Sequence, residues 1–189
     1  VDISTKILGT NNTLASVDLL AKQAGVLAGQ TVFERVFSLL DDNVRVEWFK
    51  QDGQKFNDGD KIAIVHGPVD SVLTGERVAL NFIQRMSGIA STTNQTVKQL
   101  ENSSIKLMDT RKTTPGLRIL EKYAVKVGGG YNHRYNLSDM IMLKDNHVNA
   151  AGGVKEAIKL AQERLPFIKK VEVETENLEM VKEAVAAGA

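Results

Sequence analysis

The densest concentration of chemically useful side chains is Asp109-Thr110-Arg111-Lys112-Thr113-Thr114-Pro115-Gly116. Two adjacent cations, three hydroxyls and a helix predicted to start at Gly116 have the make-up of an anion site. Arginine can grip a carboxylate through two parallel hydrogen bonds, and lysine offers a mobile point charge. A polar loop with a Pro-Gly turn is the other reading, and composition leaves both open. A second cluster is Gly128-Gly129-Gly130-Tyr131-Asn132-His133-Arg134. Three glycines allow close backbone approach to a ligand, but they also describe any flexible loop. Two of the three histidines, His133 and His147, fall in one short stretch with Arg134 and Lys144, which favours a site. Lys144-Asp145-Asn146-His147 forms a third cluster. Glu172 and Glu174 form a fourth, on one face of a strand because side chains alternate. They would meet a metal or a cation, a lysine salt bridge being the plainer choice.

The elements that must position these groups follow from periodicity. Gln30–Leu40 has the apolar spacing of a helix, and Val44–Phe49 alternates like a half-buried strand. Ile62–Val65 is a short apolar strand that Gly67-Pro68 should end. Residues 75–100 predict one long amphipathic helix, with Thr74 as N-cap and Val78, Phe82, Met86, Ile89 and Val97 on its apolar side. Arg77, in its predicted first turn, lies nine residues and so about 180° from Met86. It faces away from that stripe, as a surface arginine would.

Beyond this helix the rhythm changes. Strands are expected at Ile105–Met108, Met140–Leu143 and Ile168–Val173, and helices at Gly116–Val127, Gly152–Leu165 and Glu176–Ala187. Such alternation implies βαβ units and a parallel sheet. The arginine–lysine and Lys144 clusters then follow strand ends, where α/β proteins build ligand sites. Three parallel strands cannot close a barrel, which commonly takes about eight. The expectation is that more chain follows Ala189, with Gly188 capping the last helix.

The composition excludes several classes. The 189 residues are 42% hydrophobic and 25% charged, with a net charge of +1 and no cysteine. Disulfides, thiol nucleophiles and cysteine metal sites are therefore excluded, and a reducing compartment, the cytoplasm, is expected. Residues 1–74 carry 7 Lys/Arg against 10 Asp/Glu, whereas residues 75–189 carry 17 against 13, a bias suited to an anionic ligand. No apolar run is long enough for a membrane span or a signal peptide. No basic stripe with interleaved aromatics suggests nucleic acid.

Taken together, these strings resemble one family. MDTRKTTPGLRILEKYAVKVGGGYNHRYNLSDMIMLKDNHV at 108–148 resembles the core of the nicotinate-nucleotide pyrophosphorylases, or quinolinate phosphoribosyltransferases, almost without a break. LTGERVALNFIQRMSGIAST at 73–92, GVLAG at 25–29, DGQKFNDGD at 52–60 and VEVET at 171–175 are also similar. The resemblance implies an α/β fold: an N-terminal open α/β sandwich at 1–74, a bridging helix at 75–104, and the first part of an incomplete α/β, TIM-like barrel at 105–189. It implies phosphoribosyl transfer from phosphoribosyl pyrophosphate to quinolinate with decarboxylation, in the presence of magnesium.

The same resemblance assigns residues. Arg111, His133, Arg134 and Lys144 would form the basic pocket for the two quinolinate carboxylates, with Lys112 and Lys144 the catalytic lysines. Thr110 and Lys112 would bind ligand at the same rim, and Glu174 would face the ribose or the metal. Arg77 would be lent to the neighbouring subunit of a homodimer. The family continues with a metal-proximal aspartate and glycine-rich phosphate loops, and begins with a short segment before Val1; neither is in this sequence. A paralogue tied to molybdenum transport would share the motifs. DGQKFNDGD also resembles the turn of lipoyl and biotinyl carriers, but the lysine and methionine such a carrier needs at its hairpin are absent.

Overall fold

Alternation builds the first sheet. In the computed structural model, which describes residues 2–7, 13–100, 103–168 and 170–189, a one-turn helix α1 (Ile3–Lys6) precedes β1 (Leu14–Leu20), β2 (Gly25–Val26) and α2 (Gln30–Ser38). β3 (Arg45–Trp48), β4 (Lys55–Phe56), β5 (Lys61–Pro68) and α3 (Val69–Gln99) follow. β1, β5 and β3 form an antiparallel sheet in that order, and β2 pairs with β4. Phe33 and Phe37 of α2, Val65 of β5 and Ile83 of α3 join one core. Phe33 meets Phe37 and Trp48 edge-on at 5.3 and 5.4 Å, a favoured aromatic geometry.

Two boundaries differ from expectation, and glycine explains both. β5 runs through Gly67-Pro68, because Gly67 lies where a Cβ would come within 2.8 Å of Val44 Cγ2. This glycine serves close strand packing, and Pro68 supplies the N-cap of α3, where a missing N–H costs little. α3 starts at Val69, so Thr74 lies inside it and Arg77 sits beyond the first turn. Gly75 is buried where a Cβ would lie 2.8 Å from the Phe37 ring, which makes it a helix–helix contact and no break. The buried stripe of α3 is Val72, Ala79, Ile83, Met86, Ala90 and Thr93; Val78 is 48% exposed. Small residues occupy the seam because neighbouring elements press against it.

α4 (Arg118–Val127) follows a loop and packs on α3 through Ala124 against Met86 and Ala90. The strand expected at Ile105–Met108 is reduced to one parallel bridge, Met108 with Tyr131. α4 starts two residues later than expected, because Gly116 adopts a positive φ of 78° in a turn that closes from Leu117 N to Thr114 O.

The chain divides into two units, Val1–His133 and Arg134–Ala189. The second holds β6 (Ile141–Leu143), α5 (Asp145–Ala151), α6 (Val154–Arg164), β7 (Val171–Val173) and α7 (Leu178–Ala187). β6 and β7 are parallel and joined by helices, as the alternation predicts. The helix expected at 152–165 is α6, and α5 is an additional short helix before it, ended by Gly152 at φ 89°. Gly188 caps α7 in the left-handed conformation, as expected. Position 169 of the expected strand 168–173 lies outside the described residues. Both units are mixed α/β. Among the described residues no helix is long and apolar enough to cross a membrane.

Candidate active site

The loop after Met108 is built around a buried ion pair. Lys122 of α4 is 4% exposed and its ammonium donates to Asp109 Oδ1. The same nitrogen donates to the His133 carbonyl at 3.0 Å, while His133 N donates to Asp109 Oδ1 at 2.8 Å. With its amide nitrogen turned inward, Asn132 donates to Asp109 Oδ2 at 3.0 Å and to the Lys122 carbonyl at 2.9 Å. A buried carboxylate is costly unless its acceptor sites are filled, and here they are. Asp109 heads the cluster singled out in the sequence, but nothing there marks it as the partner of Lys122.

Arg118 performs the matching task. Its Nε donates to Thr113 Oγ1 at 3.1 Å and its Nη2 to the Arg111 carbonyl at 3.3 Å. Thr110 Oγ1 accepts from Lys112 N at 3.0 Å. Arg85 of α3 donates to Glu121, and Glu121 Oε2 accepts from Thr114 N at 3.1 Å. Burial works against the Glu121 charge, but hydrogen bonds from Arg85 and Thr114 outweigh it and hold its carboxyl below the usual range. The loop is thus a braced segment and more than a polar turn.

Within this frame Arg111 is left for something else. It is half-buried, and its Nε is fully buried with no hydrogen-bond partner among the described residues. The guanidinium groups of four of the eight arginines, Arg77, Arg111, Arg134 and Arg164, have no internal hydrogen-bond or ion-pair partner among the described residues. Three of those four are the arginines expected to bind ligand. The Lys112 ammonium is equally uncommitted, and its residue is exposed. Arg77 is exposed on α3, while Met86 is 2% exposed, so the predicted opposition of the two holds.

The glycines at 128–130 do a different job from the one considered above. A Cβ on Gly128 would lie 2.4 Å from the Ala90 carbonyl oxygen, and one on Gly130 would lie 2.9 Å from Thr93 Cγ2. They let the end of α4 press against α3, and so fix the helix that carries Arg118 and Lys122. A second tie acts on the same helix. Tyr123 donates its hydroxyl to Asp52 Oδ2 at 2.7 Å, and Asp52 also accepts from Gly29 N at the start of α2 at 3.0 Å.

In the second unit, the register of β6 and β7 pairs Leu143 with Val173. Lys144 and Glu174 therefore emerge side by side at the carboxyl ends of two parallel strands, and their side chains form an ion pair at 2.5 Å. Lys144 is half-buried and Glu174 exposed. Arg134 is half-buried at the start of this unit. His147 lies on α5, where its Nδ1 accepts from Lys144 N at 3.0 Å. Among the described residues, no three His, Asp or Glu side chains converge on a metal position. Glu174 and Asp145 are carboxylates at these strand ends.

The first unit thus carries a braced loop with an uncommitted arginine, and the second a lysine and a carboxylate at parallel strand ends, in a mixed α/β chain. The comparisons with known proteins narrow that class. Residues 2–87 match the profile of the quinolinate phosphoribosyl transferase N-terminal domain, and residues 89–189 that of the C-terminal domain. The chain belongs to the quinolinate phosphoribosyl transferase family. It is 51% identical over 172 residues to a "probable nicotinate-nucleotide pyrophosphorylase [carboxylating]" of Bacillus subtilis, covering 91% of this chain and 60% of that one. The human nicotinate-nucleotide pyrophosphorylase [carboxylating] is 46% identical over 173 residues, covering 90% and 58%. The crystal structure of NadC from Streptococcus pyogenes superposes with a TM-score of 0.92 at 53% identity, covering 98% of this chain and 67% of that one. This chain therefore spans about 60% of the length of these two curated relatives.

Proposed function

We propose that this chain provides the pyridine-dicarboxylate part of an active site that transfers a phosphoribosyl group from phosphoribosyl pyrophosphate to quinolinate. The products would be nicotinate mononucleotide, pyrophosphate and carbon dioxide, a step in making NAD. The observation that carries this reading is the half-buried Arg111, whose buried Nε lacks any internal acceptor on a loop braced from three sides. A carboxylate would complete it. Arg134 and His133 follow in the chain, and Lys144 stands ready beside Glu174. Thr110 and Lys112 would meet ligand at the same loop. Family membership across both domains supports the same chemistry.

The residue types suit the reaction. Both substrates are anions, so the site must be cationic to hold them together. The ring nitrogen attacks the ribose carbon as pyrophosphate leaves, and fixed charges stabilise the developing oxocarbenium character and hold the pair in line. Loss of the 2-carboxylate as carbon dioxide leaves an electron pair on the ring carbon, which cations such as Lys144 and Lys112 would stabilise until that carbon takes a proton from solvent. Magnesium binds one or two carboxylates plus substrate phosphates, and Glu174 fits as one such ligand. When bound, it would neutralise the leaving pyrophosphate.

The incomplete barrel belongs to this proposal, with β6 and β7 as two of its strands. So does a homodimer in which Arg77 completes the neighbouring site; its exposure and lack of an internal partner support that role. A cysteine-free chain suits a reducing compartment such as the cytoplasm.

Calorimetry tests the dicarboxylate reading. Each charged hydrogen bond contributes roughly 1.5–3 kcal/mol. Nicotinate, which lacks the 2-carboxylate, should therefore bind at least about tenfold more weakly than quinolinate. Equal affinities would remove the basis for the assignment.

A further inference from the structure

Two cations stand one helical turn apart on α4, and each grips the backbone carbonyl of a candidate ligand residue. Arg118 Nη2 donates to the Arg111 carbonyl at 3.3 Å, and Lys122 Nζ to the His133 carbonyl at 3.0 Å. Neither carbonyl belongs to α4. The helix thus joins the two chain segments that also meet in the Met108–Tyr131 bridge. Asp109 closes the arrangement from the other side by accepting His133 N at 2.8 Å. The N–H and the C=O of one residue are therefore held by opposite members of one buried ion pair.

We propose that Lys122, through its pair with Asp109, is a positioning residue that aims His133, and that this aim sets selectivity for two adjacent carboxylates over one. The proposal rests on the functional reading above and deepens it. The argument is geometric and electrostatic. Fixing both backbone groups of a residue fixes its φ and ψ, and with them the direction of its Cα–Cβ bond. Lys122 is 4% exposed, too deep to meet substrate, and its charge is balanced by Asp109. It therefore adds little net field to an anion pocket. A lysine placed there only for stability could be replaced by an apolar residue together with its partner, since a buried pair exchanged for apolar groups is often neutral or stabilising. What an apolar side chain cannot supply is the ammonium's second hydrogen bond, to the His133 carbonyl.

The test uses the intact protein and two variants, Lys122→Met and Asp109→Asn/Lys122→Met. Dissociation constants for quinolinate and nicotinate are measured by calorimetry, and the thermal midpoint is measured alongside. Partial unfolding weakens both ligands by the same factor and leaves their ratio unchanged. Lys122→Met should lower the midpoint and also collapse the quinolinate preference by about fivefold or more. The double variant should regain most of the midpoint while the preference stays low. It also carries the test if Lys122→Met alone does not fold. A preserved ratio in Lys122→Met, or one that recovers with the midpoint in the double variant, would overturn the positioning role and leave the functional reading intact. A wild-type protein that binds neither ligand would overturn both.

Discussion

Lys144 Nζ lies 2.5 Å from Glu174 Oε1, across the ends of two parallel strands whose register pairs Leu143 with Val173. The lysine expected to meet a substrate carboxylate already holds a protein carboxylate. Both side chains are more than 40% exposed, so the pair is screened and contributes little to stability. An incoming dianion can take over the lysine at small cost. Glu174→Gln should leave the thermal midpoint nearly unchanged and tighten quinolinate binding by about two- to fivefold. Turnover should fall if Glu174 also meets the ribose or the metal. Weaker quinolinate binding in this variant would contradict competition for Lys144.

Tyr123 and Asp52 tie α4 to the start of α2. Burial, the hydrogen bond to Asp52 and the charge of that carboxylate push the phenol from 10.0 to about 12. A raised pKa means that the protonated phenol is favoured in the fold. Its stabilisation is complete below pH 10 and is lost as the pH rises from 10 towards about 12. Tyr123→Phe should cost about 1 kcal/mol near pH 8, one hydrogen bond at a partly exposed site. It should also flatten the fall in stability over that alkaline window. Urea titrations at several pH values give both readings, and an unchanged alkaline slope would exclude the tie.

Gly128 and Gly88 make a matched pair. A Cβ on Gly128 would sit 2.4 Å from the Ala90 carbonyl oxygen, whereas one on Gly88 meets nothing within 4 Å. Gly128→Ala should destabilise by roughly 1–3 kcal/mol or more, because helix backbone must move. Gly88→Ala should stabilise by roughly 0.5–1 kcal/mol, as expected for alanine within a helix. Equal effects in denaturant titrations would mean that α4 does not press on α3 at this point.

Arg77 is tested by subunit mixing. If the dimer shares its sites, Arg77→Ala and Arg111→Ala homodimers should each be nearly inactive. A mixed dimer then has one site with both changes and one with neither. Random exchange makes about half the dimers mixed, so activity should return to roughly one quarter of wild type. Mixing that restores nothing, with exchange verified by mass spectrometry, would place Arg77 in the site of its own chain.

Much of this was legible in sequence because it depends on local pattern. The strand at Val44–Phe49, the helix from Gln30 and the pairing of a carboxylate with a lysine at the strand ends follow from periodicity and charge. The misreadings concern residues whose role depends on distant neighbours. Gly67 looks like the end of a strand and Gly75 like the start of a helix, but they are contacts with Val44 and Phe37 inside longer elements. Val78 looks like core, but the seam of α3 is built from Ala79 and Ala90, which admit closer packing. Lys122 was invisible because nothing near it in sequence reveals that Asp109, thirteen residues earlier, lies beside it. The free guanidinium of Arg111, by contrast, is the feature that motif and geometry both single out.

The most direct measurement follows the carbon that the reaction must expel. Quinolinate labelled in its 2-carboxylate is incubated with the intact protein, phosphoribosyl pyrophosphate and magnesium, and labelled carbon dioxide and nicotinate mononucleotide are counted together. The account predicts equal amounts of the two, dependent on the phosphoribosyl donor and abolished by Arg111→Ala in a folded protein. Label that stays in solution while wild-type protein turns nicotinate into the nucleotide, or full release by Arg111→Ala, would contradict it.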